Sequence, residues 1–205
     1  MRISAMSVIE VEQHFTIGPE TRSKLTDLGA KLTQREEFTD IYYDTSAHML
    51  MTSSHWLRQR ITRNGVWQLK YPVPVPDIPE NEAIIQGQTS RTESNYELEE
   101  ESAIIKQLRT VIVIEGAPSL NQLVDPLGVL VPVAEFSTTR ERWAWPDDRM
   151  GERVSIELDK ANFGYAIGSV EVLVGGADQV SAAEEKAREI ARKIGQLALH
   201  YDCQC

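Results

Sequence analysis

The chain has 205 residues, with 21 lysines and arginines against 31 aspartates and glutamates, so its formal net charge is −10. Hydrophobic residues make up 41% and charged residues 25% of the sequence, which excludes a disordered chain and is ordinary for a globular one. The sequence pI of about 4.9 argues against general binding to nucleic acids or anionic membranes, because the mean field repels phosphates. An anionic substrate therefore needs a local basic cluster.

The cysteine pattern and the hydropathy of the chain indicate a cytoplasmic protein. Cys203 and Cys205 stand together at the C-terminal end and cannot link distant parts of a fold. No apolar run approaches the roughly 20 residues that cross a bilayer. Residues 1–6 lack the apolar stretch of a secretory signal. We therefore expect a cytoplasmic monomer that binds neither membranes nor nucleic acids.

Alternation of apolar and polar residues, which is typical of strands, dominates the first half of the chain. It predicts strands over residues 7–15 and 31–43. Between them, Gly18-Pro19 is suited to open a short helix that ends near Leu28, because proline is favoured in the first helical turn. The chain is therefore expected to begin with a strand, a helix and a long strand.

The clearest hairpin signal lies between residues 55 and 71. Residues 55–63 and 66–71 both alternate, and the Asn64-Gly65 pair between them suits the positive φ angles of a type I′ turn. Closely spaced prolines then end the second strand, and we expect a loop from Pro72 to about residue 92.

The second half of the chain combines strands with amphipathic helices. Residues 94–100 indicate a strand, and Ser102 is suited to cap a helix over residues 103–113. Ser181 and Glu184 match a capping box, which predicts a final helix with one apolar stripe. Further strands are predicted near residues 129–145, 152–160 and 165–174.

About eight strands and a few helices, with no internal repeat, predict a single α+β domain over residues 1–205. Because residues two apart on a strand share a face, most strands present a charged face opposite an apolar one. Charges of one sign cluster strand by strand. The same-face pairs are Glu10 and Glu12, Arg58 and Arg60, Glu97 and Glu99, Arg140 and Arg142, and Glu157 and Asp159.

Two arrangements explain these charged faces. In most antiparallel sheets one face is buried and the other is in water, and a solvated charged face is the more common case. The alternative is a closed sheet with helices outside and charges inside, since about eight strands suffice to enclose one small ligand. There, arginine forks and a lysine bind a polyphosphate, while facing carboxylates hold a hard divalent cation such as Mg²⁺.

Several segments stand in the order and spacing of a known family. The opening IEVEQHF resembles the E-x-E-x-K signature of the CYTH superfamily, the triphosphate tunnel metalloenzymes, and the chain is most similar to its animal thiamine-triphosphatase branch. The similarity extends over about residues 8–195. The other matching segments are FTDIYYDT (38–45), HWLRQR (55–60), GVWQLK (65–70), FSTTRERW (136–143) and ANFGYAIGSVEVLV (161–174).

The resemblance implies a closed eight-stranded antiparallel β-barrel, the triphosphate tunnel, with helices packed outside. It implies Mg²⁺-dependent hydrolysis of thiamine triphosphate to thiamine diphosphate and phosphate. By analogy, Lys70 and Tyr42 are the catalytic residues that handle the proton. The implied substrate-binding residues are His14, Trp56, Arg58, Arg60, Lys70, Glu97 and Arg140, and the implied metal ligands are Glu10, Glu12, Glu157, Asp159 and Glu171.

The sequence also departs from the family pattern. His14 replaces the lysine of the E-x-E-x-K signature, so a permanent positive charge becomes a conditional one. Ser169 stands where the vertebrate enzymes carry the first glutamate of a GEVE run, which removes a candidate metal ligand. The chain ends at Cys205, and we expect that a C-terminal segment of the related animal enzymes is missing.

Trp56 and the overall function leave alternatives open. Trp56 shares a face with Arg58 and is either a packing residue or a platform for the cationic thiazolium ring at the tunnel mouth; the resemblance favours the platform. A less selective inorganic tripolyphosphatase and a non-catalytic polyphosphate-binding module are the alternatives to a thiamine triphosphatase.

Overall fold

The computed structural model describes residues 8–61, 65–73, 92–116, 118–146 and 153–197. The predicted turn residue Asn64, residues 74–91 of the predicted loop, the first seven residues and both cysteines lie outside these ranges. Within them, no helix is both long and apolar enough to cross a membrane.

The strands form one antiparallel sheet, and every predicted strand is present with its ends shifted by a few residues. The short β9, which was not predicted, pairs with the end of β1. The strands are β1 (Ile9–Thr16), β2 (Lys31–Asp44), β3 (Trp56–Ile61), β4 (Val66–Pro72), β5 (Glu93–Leu98), β6 (Val131–Ala144), β7 (Arg153–Ala161), β8 (Ala166–Val174) and β9 (Gln196–Leu197).

The sheet closes on itself through its first and fifth strands. The strand order is β5-β4-β3-β2-β6-β7-β8-β1, and β1 also pairs with β5, with Ile9 opposite Tyr96 and Glu12 opposite Glu93. The eight strands therefore form a closed antiparallel ring, which confirms the predicted fold. β2 is longer than its pairing with β3, which begins at Thr39; in the described part of the chain, residues 31–38 pair with β6 alone.

The helices pack on the outside of the ring. Two of them, Met49–Thr52 and Leu120–Leu123, were not predicted, because a helix of four residues is too short to show a periodic pattern. The helices are α1 (Thr21–Asp27), α2 (Met49–Thr52), α3 (Glu101–Leu108), α4 (Leu120–Leu123) and α5 (Val180–Ile194).

Two apolar clusters join the helices to the ring. In the first, Val11 and Val170 of the sheet and Ala187 of α5 are fully buried. In the second, Leu57 of β3 packs with Leu108 of α3. These residues alternate along the strands with the charged ones, so the charged faces point into the ring. The solvated-face alternative is therefore wrong, because helices occupy the apolar faces and leave the charges inside.

Two helix starts differ from the prediction. The N-cap of α3 is Glu100, whose carboxylate accepts a hydrogen bond from the Ser102 backbone N–H at 3.1 Å, so Ser102 lies inside the helix. The capping box predicted at Ser181 and Glu184 does not form. A 3₁₀ turn over Ala177–Gln179 leads directly into α5, and the helix begins before Ser181.

One close contact fixes the distance between neighbouring strands. Gly168 of β8 lies opposite Phe15 of β1, and Phe15 is fully buried. A Cβ atom at position 168 would lie 2.3 Å from the Phe15 ring, closer than any packed contact. Glycine is needed here because the two strands and the aromatic ring share this space.

Candidate functional site

A cavity of about 640 Å³ occupies the inside of the ring, and all eight ring strands contribute side chains to its lining. Its size suits a small-molecule ligand. The structure brings the predicted site residues together here, with the exception of His14. Those that line the cavity are Glu10, Glu12, Tyr42, Trp56, Arg58, Arg60, Lys70, Glu97, Arg140, Glu157, Asp159 and Glu171.

The charges around the cavity form two arcs. The neighbouring strands β7, β8, β1 and β5 carry carboxylates, which we call the acidic arc. The lysine of β4 and the arginines of β3 and β6 form the basic arc, and β2, which lies between β3 and β6, adds the carboxylate of Asp40. Two facing walls of opposite charge are what the sequence predicts for a closed sheet.

Arg140 is held by a forked ion pair. Its Nε and Nη2 donate to the two carboxylate oxygens of Asp159 at 2.8 and 2.6 Å, and its Nη1 pairs with Glu157. Glu157 is 1% exposed and also accepts from Arg142 Nε at 2.8 Å. Burial alone would lower the pKa of Arg140, but the hydrogen bond to Asp159 and the surrounding carboxylates raise it. This guanidinium is therefore fixed in orientation and permanently charged.

Arg60 makes a second fork, with Asp40. Nε and Nη2 of Arg60 donate to the two oxygens of Asp40, each at 2.8 Å. The guanidinium carbon also lies 3.6 Å from the centroid of the Phe38 ring, which supports it from one side. Asp40 and Phe38 were not selected from the sequence. Strand periodicity puts both on the same inward face as Tyr42, but the sequence does not show that they meet Arg60.

Arg58 of the basic arc reaches a carboxylate of the acidic arc. Its Nε donates to Gln68 Oε1 at 3.0 Å and its Nη1 to the Tyr42 hydroxyl at 3.3 Å. Its Nη2 is 3.7 Å from Glu97 Oε1. Burial raises the pKa of Glu97 and the charge of Lys70 lowers it. Burial has the larger effect, so the pKa is raised.

Lys70 of the basic arc pairs with two glutamates of β1 in the acidic arc. Its Nζ is 2.8 Å from Glu10 Oε2 and 3.5 Å from Glu12 Oε2. Burial would lower the pKa of Lys70, but the charges of Glu12 and Glu10 outweigh it and raise that pKa. Burial would likewise raise the pKa of Glu12, but Lys70 and His14 lower it to about 2. At neutral pH this is a charged lysine beside a charged carboxylate.

Glu171 marks an excess of negative charge on the acidic arc. Burial, followed by the charges of Glu157, Glu10 and Glu12, raises the pKa of Glu171 well above its usual value. Its Oε2 accepts a hydrogen bond from the Ser155 hydroxyl at 3.2 Å. Neighbouring carboxylates destabilise the charged form of Glu171. A bound divalent cation would neutralise this excess of negative charge.

The acidic arc fits a hard metal ion by its donor chemistry. Among the described residues, no three His, Cys, Asp or Glu side chains already surround a single point. The carboxylates instead hold Lys70 and the arginines in ion pairs. Carboxylate oxygens are the ligands that Mg²⁺ and similar ions prefer, so Glu10, Glu12 and Glu171 remain candidate ligands.

His14 and Ser169, the two departures from the family signature, lie directly opposite each other on β1 and β8. The His14 Nδ1 is 3.7 Å from Glu12 Oε1, and Ser169 is buried. The structure thus brings the two expected departures together at one cross-strand pair.

The arrangement agrees with comparisons to known proteins. A family model described as the CYTH domain matches residues 8–202, and the chain belongs to this family. The chain is 36% identical to the thiamine-triphosphatase of Macaca fascicularis and 37% identical to that of Homo sapiens, over 196 residues each. Each match covers 93% of this chain and 79% of the relative.

The fold is also found among solved structures. The PH1819 protein from Pyrococcus horikoshii OT3 matches with a TM-score of 0.57 and 21% sequence identity. The match covers 93% of this chain and 92% of that chain. At this identity the similarity shows a shared fold.

Proposed function

We propose that this protein hydrolyses thiamine triphosphate to thiamine diphosphate and inorganic phosphate. The observation that carries the proposal is the basic arc of Arg58, Arg60, Lys70 and Arg140, which faces an acidic arc across a closed cavity. The names of the related thiamine-triphosphatases support thiamine triphosphate as the substrate.

The basic arc binds the phosphate chain in this proposal. The Nε and Nη2 groups of Arg60 and Arg140 are engaged by carboxylates, which fix the plane of each guanidinium. The remaining N–H groups and the fixed positive charges are then directed at the phosphate oxygens. Fixed positive charges stabilise the charge that develops on the transferred phosphoryl group while water attacks in line. Because its pKa is raised, Lys70 acts as one of these charges at neutral pH, and the Tyr42 hydroxyl is the remaining candidate for proton handling.

Mg²⁺ is the proposed cofactor. Glu10, Glu12 and Glu171 would hold it, with Glu157 and Asp159 nearby on the acidic arc. When bound, the ion would neutralise negative charge on the carboxylates and on the phosphate chain. The proposed role of Glu97 is a contact at the edge of the phosphate chain, and Trp56 is the proposed platform for the thiazolium ring. His14 is proposed as a more distant substrate contact, because it lies 3.7 Å from Glu12 but outside the cavity lining.

Phosphate release from purified protein tests the proposal. Thiamine triphosphate, inorganic tripolyphosphate and ATP are compared with Mg²⁺, Mn²⁺ or Ca²⁺. We expect the wild type to have its highest kcat/KM on thiamine triphosphate with Mg²⁺. In Arg58→Gln we expect this kcat/KM to fall at least about 100-fold, because a fixed donor to the phosphoryl group is removed. Arg35→Gln is the matched control, since Arg35 is an exposed arginine on β2 whose side chain contacts Glu141.

Other outcomes identify the alternatives. Faster turnover of inorganic tripolyphosphate than of thiamine triphosphate indicates the less selective tripolyphosphatase. Saturable binding without phosphate release indicates a polyphosphate-binding module. Equal losses in Arg58→Gln and Arg35→Gln contradict the assignment of the basic arc. The cytoplasmic location and the monomeric state expected from the sequence stay predictions.

A further inference from the structure

A row of aromatic rings leads from the cavity to the outer surface. Tyr42 of β2 stacks on Phe136 of β6, with ring centroids 5.6 Å apart and planes 18° apart. Phe136 meets Phe163 edge to face at 5.6 Å, and Phe163 stacks on Tyr165 at 6.2 Å. We call these four residues the aromatic row.

The aromatic row lies at the same end of the ring as Trp56. β2 ends at Asp44, which pairs with Val131 at the start of β6, and β3 begins with Trp56 at this end. Tyr42, Phe136 and Trp56 line the cavity together. The outer two rings of the row belong to the turn between β7 and β8, so the row continues from the cavity wall onto the rim.

The outer rings are not used to stabilise the fold. Phe163 is 66% exposed and Tyr165 is 55% exposed, and neither belongs to the two apolar clusters that join the helices to the ring. Buried aromatic surface is what stabilises a fold, and each of these residues leaves more than half of its surface exposed. Phe163 contacts Phe136, which lines the cavity, so the exposed outer rings lie next to a ligand-sized cavity.

The inner end of the row touches the basic arc. The Tyr42 hydroxyl accepts a hydrogen bond from Arg58 Nη1 at 3.3 Å. A ligand with a phosphate chain and an aromatic head would therefore have its chain on the arginines and its head on the rings. The thiazolium and aminopyrimidine rings of thiamine are flat, and the first carries a positive charge. Aromatic faces bind flat rings by stacking and bind cations through the cation–π interaction.

We propose that the aromatic row is a second binding surface for the organic end of the substrate, in addition to Trp56. It selects triphosphates with a flat cationic head over inorganic tripolyphosphate. This inference rests on the proposed function and names the residues that determine its specificity.

The variants Phe163→Ala and Tyr165→Ala test the inference. Both side chains are exposed, so we expect the variants to fold. We expect kcat/KM for thiamine triphosphate to fall about tenfold in Phe163→Ala, while kcat/KM for inorganic tripolyphosphate stays within about twofold of the wild type. Val113→Ala is the control, because Val113 is an 82% exposed apolar residue that follows α3 outside the cavity lining.

The outcomes separate this inference from the proposed function. If Phe163→Ala loses kcat/KM equally on both substrates, or on neither, the inference is overturned. The proposed function still stands in that case, provided that the wild type hydrolyses thiamine triphosphate. If the wild type releases no phosphate, the proposed function fails, and calorimetric titration then decides the inference. Weaker binding of thiamine triphosphate alone by Phe163→Ala supports it, and unchanged binding of both ligands overturns it.

Discussion

Individual side chains of the cavity are held by ion pairs within the protein before any ligand is present. Arg140 and Arg60 each make two parallel hydrogen bonds to one carboxylate, which fixes the plane of each guanidinium. A buried ion pair adds little net stability, because desolvation offsets the attraction. The forks are therefore better explained as devices that orient charge towards the cavity.

Arg140→Lys tests this explanation. Lysine keeps the positive charge but lacks the planar fork, so it cannot hold Asp159 and Glu157 in the same geometry. We expect kcat/KM for the preferred triphosphate to fall about 10- to 100-fold with a modest decrease in Tm. Arg35→Lys, on the outside of the ring, is expected to change neither. Wild-type activity in Arg140→Lys would show that charge alone suffices.

Part of the site could be predicted from the sequence, residue by residue. Alternation along the strands predicts which charges share a face, and it selected most of the charged residues that line the cavity; Tyr42 and Glu171 followed only from the resemblance to the family. It cannot tell which carboxylate meets which base, because that depends on the register between strands distant in sequence. Asp40 was missed for this reason: its importance appears only when β2 lies beside β3, where Arg60 is its direct neighbour.

Among the elements, β1 and β8 depend on a glycine. Gly168→Ala would put a methyl group against the buried Phe15 ring, and we expect a loss of about 1–3 kcal/mol in the free energy of unfolding. Gly18→Ala is the matched control, because a Cβ at Gly18 meets no atom within 4 Å. Urea denaturation followed by circular dichroism measures both. Equal stability of the two variants would show that the strands separate without cost.

The start of α3 gives a pH-dependent prediction. Hydrogen bonds from the side chain and backbone of Ser102 and from the backbone of Ala103 lower the pKa of Glu100 below its usual 4.5. The stabilising effect of this carboxylate is therefore present above pH 4.5 and is lost as the pH falls through the lowered pKa. We expect Glu100→Ala to lower Tm by about 2–4 °C at pH 7.

The Tm difference between Glu100→Ala and the wild type should shrink as the pH falls below 4.5, since protonation removes the cap from the wild type as well. Calorimetric scans from pH 7 to pH 3 follow this difference. Glu185→Ala on the exposed face of α5 is the control. A difference that is constant over this range would show that the carboxylate charge is not what caps α3.

Prediction from sequence succeeded for long elements and failed for short ones. β2 and β6, with 14 residues each, were placed within two residues at each end. α2 and α4 were missed because one helical turn has too few residues for periodicity to be visible. The predicted cap Ser102 was displaced because Glu100, two residues earlier, accepts from the backbone N–H groups of Ser102 and Ala103, so the helix begins earlier.

At the scale of the whole molecule, the two arcs exist only because the ring closes. The acidic residues come from β1 near the start of the chain, β5 in its middle and β7 and β8 further on, and the basic residues come from β3, β4 and β6. Pairing of β1 with β5 brings these parts together. Composition shows an excess of acidic residues, and only the closed topology shows that the basic ones are gathered on one side of a cavity.

The extra length of β2 has a consequence for how copies of the protein behave in a crowded solution. Within the described ranges, the backbone of residues 31–38 pairs with no strand on the side away from β6, and this border resembles the edge of an open sheet, to which a foreign strand can add. Lys31, Arg35 and Glu37 are exposed along this border. An incoming strand would have to strip water from these ionised groups, which discourages intermolecular pairing and helps to keep the protein from aggregating.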